Sequence, residues 1–315
     1  MKAHERGSHD GGGDDPLVCC VVGNERYAVR GADVQRVIRA EAMQPERGAN
    51  GRVGTLGGGR DPVPVYPLAA RLGRSTASTG THIMVTSGAC EPVGWLVDRV
   101  VRMPRARGTR VLPLPSVVGP VPAAWFEGLL TIDDLPCLLL SPSGADPCAD
   151  VPAFRPAPAP APVRAARTAA AAGMVVLFSS PALPPCDAPR VALSARQVAA
   201  VVPSLMAIPV PGSPPHVRGV ARWRDTAVPV VDFRENGRSA SRTRYLVARG
   251  GARLQGAMVA FAIDADVALH RAEEQDREVG GDVPRPGFLV GRFAIGAEPV
   301  ALLDLDALVM TQVDH

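Results

Sequence analysis

Six cysteines are the first residues to weigh for chemistry: Cys19, Cys20, Cys90, Cys137, Cys148 and Cys186. They are scattered, with no Cys-x-x-Cys pair and no histidine nearby at metal-ligand spacing. Several lie in apolar runs, where a free cysteine behaves as a small hydrophobe. His4, His9 and His315 belong to the tails, and His82, His216 and His270 have no evident catalytic partner. A Cys/His or Ser/His nucleophile is therefore poorly supported. Gly54–Arg60 is glycine-rich but lacks the Gly-Lys-Ser/Thr ending of a phosphate loop and does not run directly into a helix. Asp133-Asp134 falls in a predicted turn, where Asp is common for backbone reasons. Glu273–Glu278 could offer carboxylates to a hard cation, but such charge runs are ordinarily solvated faces. The basic run Arg99–Arg110 lacks the interleaved aromatics of a nucleic-acid surface. No catalytic, cofactor or metal residue is assigned.

The stretch with the most informative pattern is Arg218–Arg234, RGVARWRDTAVPVVDFR. It reads as a β-hairpin, with strands over Gly219–Trp223 and Thr226–Phe233 and a tight turn at Arg224-Asp225. Side chains alternate faces along a strand. Ala221 and Trp223 are expected on one face, Arg222 and Arg224 on the other. Pro229 has no N–H to give, which predicts a sheet edge or a bulge. An apolar inner face with arginines outside suits docking to another protein better than catalysis. The same pattern also suits a solvated hairpin with no partner.

The elements around this hairpin are short. At 315 residues, with 46% hydrophobic and only 4% aromatic content, the chain can bury cores of Val, Leu, Ala and Ile. Its formal net charge of +3 gives no general attraction to nucleic acid or membranes. No apolar run reaches the ~18–20 residues that span a bilayer, and the polar, glycine-rich start does not resemble a signal peptide. A reducing cytoplasm fits. Short apolar runs between Gly and Pro predict strands at Leu17–Val22, Arg26–Val29, Val53–Leu56, Val63–Tyr66, Ile83–Val85 and Pro92–Val97. Val100-Arg102, Trp125–Leu130 and Leu138–Leu140 follow, with a short helix at Leu68–Leu72. This density of strands predicts an all-β fold of small barrels.

The pattern then occurs a second time. Val191–Val198 tracks Tyr27–Val34 without a gap, and Gly219–Phe233 tracks Gly54–Leu68 likewise. Gly94–Asp98 corresponds to Ala260–Asp264. The chain is therefore read as a duplicated domain: a leader at 1–15, one domain at 16–141, a Pro/Ala-rich linker at 142–172, a second domain at 173–310 and a tail at 311–315. The linker's alternating prolines, Pro156 to Pro162, cannot build a core.

Both copies resemble the CheW-like domains of bacterial chemosensory arrays. GVARWRDTAVPVVDF is similar to that family's GV-x-NLRG-x-VVPVVDL, through Gly219, Val220, Arg224, Val228, Pro229, Val230, Val231 and Asp232. Asp225 stands where the family has Gly, and Trp223 where it has Leu. In the first copy VGWLVDRVVRM is similar to the family's IGLLVDEVLEV, through Gly94, Leu96, Val97, Asp98 and Val100. Its hairpin departs: Gly59 replaces the arginine, Gly58 stands opposite Trp223, and Pro67 replaces Asp232.

The resemblance implies two tandem domains, each a pair of small five-stranded SH3-like barrels. It implies a non-catalytic adaptor that couples the cytoplasmic tip of a chemoreceptor to the regulatory domain of a histidine kinase, with other CheW-like domains as further partners. It implies no cofactor, no nucleic acid and no membrane insertion. Arg224 matches the arginine associated with receptor contact, and the docking set is Arg222, Trp223, Arg224, Val228 and Val230. Asp232 and Asp264 match acidic positions and read as structural. The segment after the first Val-Asp motif is basic, with Arg99, Arg102, Arg105, Arg107 and Arg110. Its counterpart is acidic, with Glu273, Glu274, Asp276 and Glu278. Contact between unlike copies is one reading, and two solvated loops the other. The alternative from another class is a cofactor- or substrate-binding enzyme on a duplicated β-barrel.

Overall fold

A computed structural model describes residues 16–48, 51–58, 61–74, 80–102, 109–147, 173–179, 190–232, 243–252, 254–264, 266–271 and 289–311. The chain forms two compact units, and the short stretch Pro113–Ala123 groups with the second. Among the described residues the chain is mostly strand, and no helix is long and apolar enough to cross a membrane.

The first copy runs β1 (Leu17–Val22), β2 (Glu25–Arg30), β3 (Val34–Arg39), β4 (Gln44–Pro45), β5 (Gly54–Leu56) and β6 (Val63–Pro67), then the short helix α1 (Leu68–Arg71). It continues with β7 (His82–Ser87), β8 (Pro92–Val97), β9 (Arg99–Arg102), α2 (Pro120–Trp125), β10 (Phe126–Ile132), β11 (Leu135–Leu140) and α3 (Pro142–Ala145). One sheet has the order β10-β11-β2-β1-β9, the other β3-β7-β8-β6-β5-β4.

The second copy contributes β12 (Met174–Phe178), β13 (Arg190–Ser194), β14 (Val198–Val202), β15 (Ala207–Ile208), β16 (Val217–Trp223) and β17 (Thr226–Val231). Then come β18 (Arg244–Arg249), β19 (Met258–Ile263), β20 (Val267–Arg271), β21 (Leu289–Ile295), β22 (Glu298–Leu303) and helix α4 (Leu305–Thr311). Its sheets have the orders β20-β12-β13-β22-β21 and β14-β18-β19-β17-β16-β15. Read strand for strand, both orders repeat those of the first copy. The duplication read from residue spacing is thus a duplication of topology. One sheet per copy has the expected five strands. The other gains a sixth because a two-residue segment, β4 or β15, pairs along its rim.

Each sheet closes over its own apolar cluster. Leu17, Cys19, Ala28, Leu130, Cys137 and Leu139 fill the first, and Leu56, Val65, Ile83 and Val85 the second. In the second copy Val175, Leu177, Ala192, Phe293 and Val300 form one cluster, and Ala221, Val228, Val230, Val247, Met258 and Ala260 the other. Most of these are aliphatic residues from alternating positions, as a chain with few aromatics requires. Trp95 is the largest fully buried side chain among the described residues, and its Nε1 donates to the Thr86 hydroxyl at 3.0 Å. The counterpart Phe261 needs no such acceptor.

Turn chemistry follows the residues. Asp133 and Asp134 both take positive φ, 49° and 61°, in the two-residue loop between Ile132 and Leu135. That is the backbone a tight hairpin requires, and Asp tolerates it better than most side chains. The Asp98 carboxylate accepts the Gly23 N–H at 2.7 Å and so fixes the turn between β1 and β2.

The stretch from Pro142, expected to open the linker, is instead helical at its start, with Ala145 and Asp146 buried. Long-range hydrogen bonds hold it. Arg71 Nε donates to the Ala145 carbonyl at 2.9 Å, and the Asp146 carboxylate accepts the Ala89 N–H at 2.8 Å. In the second copy Asp306 of α4 accepts the Gly251 N–H at 2.5 Å and the Leu254 N–H at 3.4 Å. In both copies an acid from the closing segment ties down the loop that joins the same two strands. The rest of the expected linker, from 148 to 172, lies outside the described residues, as do the leader and most of the tail.

Candidate functional site: the second-copy hairpin

The hairpin pairs Val220 with Pro229, Ala221 with Val228, Arg222 with Ala227 and Trp223 with Thr226. Arg224 and Asp225 are therefore a two-residue loop. Arg224 takes φ 54°, the left-handed backbone that such loops demand at their first position.

Pro229 does not lie on a sheet edge. Strand β17 runs between β16 and β19. The proline is tolerated because the parallel ladder to β19 covers only Val230 and Val231, and because Val220 and Pro229 then form a pair that exchanges no hydrogen bond. The first copy repeats this: Pro64 faces Thr55, and its parallel ladder begins at Val65. A register shift in β16 does fall close by, between Val217 and Gly219. Gly219 there has φ 152°, and an added Cβ would lie 2.1 Å from the Ile208 carbonyl oxygen. Only glycine fits where β15 crosses.

Of the expected docking residues, Val228 and Val230 are 0% and 3% exposed. They sit in the core cluster under the hairpin and shape the surface from beneath rather than forming it. Trp223 is half-buried and packs against that same cluster. Arg222 is exposed and braces the turn: its Nε donates to the Arg224 carbonyl at 2.9 Å, and a terminal nitrogen lies 3.4 Å from the Asp225 carboxylate.

Arg224 does not point away from Trp223 as strand alternation predicts. Alternation ends at the turn, and the left-handed residue folds its guanidinium back over the indole, 4.4 Å from the ring centroid. The composite surface is an exposed cation laid on an aromatic ring. Sequence reasoning named both residues and missed their stacking, because the positive φ that produces it cannot be read from residue types.

The first copy has no equivalent. Gly58 stands at the Trp223 position, and Gly59, at the Arg224 position, lies outside the described residues. Asp232 is buried and lies 3.9 Å from Arg218 Nε, while its N–H donates to the His216 carbonyl. Burial pushes the His216 imidazole down to about 4. Asp264 donates its N–H to the Ser179 carbonyl.

Of the charged segments, Arg99, Arg102 and Arg110 are described, the first two on β9. Arg105, Arg107, Glu273, Glu274, Asp276 and Glu278 lie outside the described residues.

Among the described residues no three His, Cys, Asp or Glu side chains gather as a metal site. Cys19 and Cys137, far apart in sequence, meet in the first core, where the Cys137 thiol donates to the Arg26 carbonyl at 3.4 Å. Burial pushes the neighbouring Cys20 thiol up to about 12, far from the range of a reactive thiolate.

A search of curated proteins finds no match. Among solved structures, the scaffolding protein TtCheW from Thermoanaerobacter tengcongensis is similar at 20% identity and a TM-score of 0.37, over 42% of this chain and 91% of that one. The model of the CheW-like domain matches residues 16–145 and again 185–312. With most of its length so matched, and with one strand order occurring twice, the chain belongs to the CheW-like domain family and carries two of its domains in tandem.

Proposed function

We propose that this protein is a non-catalytic adaptor that couples chemoreceptors to a histidine kinase in a chemosensory array. The coarser part follows from membership: CheW-like proteins are scaffolds of the chemotaxis type. The finer part is our reading. The second copy docks a receptor's cytoplasmic tip through Arg222, Trp223 and Arg224. The kinase regulatory domain is taken by barrel surfaces of the same fold. The protein works in the cytoplasm, beside the membrane, through these partners.

The observation that carries the reading is the state of the hairpin. It holds most of the family's signature residues, a rigid apolar floor and an exposed, stacked arginine at its tip. Interfaces are dominated by a few such aromatic and arginine anchors above a packed base. The first copy keeps the fold and lacks the anchors, so receptor docking is assigned to the second.

Capture of receptor tips and kinase by the full chain tests this. Binding that Arg224→Ala weakens at least tenfold, with the melting temperature unchanged, supports it. A folded Arg224→Ala variant that binds and couples receptors as before refutes it. A tightly retained small molecule or metal in the purified protein would favour the enzyme alternative instead.

A further inference from the structure

Two cations stand at the hairpin tip, and the structure treats them differently. Arg222 meets local acceptors, the Arg224 carbonyl and the Asp225 carboxylate. Arg224 is exposed, and among the described residues its guanidinium makes no ion pair. Among the described residues its one ring contact is the face of Trp223. Its φ of 54° is disfavoured for any residue with a Cβ. Such departures persist where the surroundings over-determine them, often at sites of recognition. Here they do: Asp225 and Arg222 lock the loop, and the core cluster holds Trp223 from below.

We infer that Trp223 is a positioning residue, whose ring holds the Arg224 guanidinium ready for a carboxylate on the partner's surface. This rests on the docking role proposed above. An aromatic face attracts a cation electrostatically. A stacked guanidinium keeps its in-plane N–H donors free, and these match a carboxylate two at a time. Holding the long side chain in place also removes rotamer freedom that binding would otherwise cost. Leucine, which the family signature carries at this position, offers no such face. Trp223 thus sharpens the arginine's preference for an acidic target in this chain, and Gly58 leaves the first copy without it.

The test uses the full chain and a soluble coiled coil carrying a chemoreceptor tip, in its natural form and with the tip's Asp and Glu changed to amides. Against the natural tip, Trp223→Leu weakens binding roughly threefold to tenfold, and Trp223→Phe restores most of it. Arg224→Ala weakens binding at least as much, and adding Trp223→Leu to it costs little more. Against the amide tip, wild type and variants bind alike. Natural-tip binding that Trp223→Leu leaves unchanged, or losses that add in the double variant, overturn the positioning role. Wild-type affinity that ignores the change to amides overturns the carboxylate target. No binding of wild type to either tip overturns the docking role first and this inference with it.

Discussion

Gly219→Ala offers the sharpest test of how the hairpin is held. The alanine Cβ would sit 2.1 Å from the Ile208 carbonyl oxygen and 2.6 Å from its carbon. Both atoms are backbone, so no side chain can swing aside. The residue's φ of 152° is also unfavourable for an L side chain. Strain of this kind costs about 1–3 kcal/mol. Relieving the clash must push the two-residue β15 off β16, with further loss of ladder hydrogen bonds at about 1 kcal/mol each. The expected sum is about 3 kcal/mol, which lowers the melting temperature of a domain this size by roughly 10 °C.

Two controls calibrate this estimate. Gly256, with φ 71° and open space where a Cβ would go, should lose only about 1 kcal/mol on change to Ala. Gly54, the first-copy counterpart, meets the Met43 side chain at 2.5 Å and the Gln44 carbonyl oxygen at 2.7 Å. The Met43 side chain can yield but the Gln44 carbonyl is backbone; with one backbone clash, farther off than at Gly219, and no positive φ, the loss should be smaller and confined to the first copy. Calorimetry of the full chain measures the transitions. Hydrogen exchange over Val217–Trp223 reports whether β16 has lost its neighbour. A Gly219→Ala protein that melts within about 1 °C of wild type, with unchanged exchange, would refute the reasoning.

Other predictions follow from groups already described. His216 is pushed down to about 4 when folded, against ~6.5 unfolded. The unfolded state therefore binds the extra proton first, so stability is full above pH ~6.5 and falls towards pH 4 by up to about 1.4 kcal/mol per pH unit. Denaturant titrations of wild type and His216→Gln should show the slope between pH 6.5 and 5 flatten in the variant. Asp306→Ala removes the acceptor of two N–H groups and should cost about 2 kcal/mol, seen as faster exchange at Gly251 and Leu254. Charge reversal at Arg105, Arg107 and Arg110 should alter self-association in sedimentation runs at low salt. Unchanged sedimentation would remove contact between unlike copies.

Much of the fold was legible because it rests on short-range signals. Leu17–Val22 and Pro92–Val97 are strands with the predicted bounds, since apolar runs between turn residues leave little choice. The repeat was legible from gap-free matches, and the strand orders agree with it. What escaped depends on distant contacts. Pro142–Ala145 has linker composition, yet Arg71, some seventy positions away, captures its end. Pro229 reads as an edge residue because composition cannot show that a neighbouring ladder starts one residue later. Val228 and Val230 match motif positions read as contact residues, but they share the face of β17 that is turned into the core cluster, and the motif does not show which face that is. The stacking of Arg224 on Trp223 needed a backbone angle that favours neither residue type.

The parallel ladders carry a consequence for synthesis. In the first copy β3 to β8 form one sheet from an unbroken length of chain, inserted between β2 and β9. The other sheet joins β1 and β2 to β9, β10 and β11, and β2 pairs in parallel with β11 near its far end. The inserted sheet can close as soon as it leaves the ribosome, while the opening hairpin must wait, with one flank bare, for the last strand to arrive. The second copy obeys the same schedule through β13 and β22. An elongating chain therefore exposes two unfinished flanks in turn, and the spacing of the duplicated domains keeps the first complete before the second has begun.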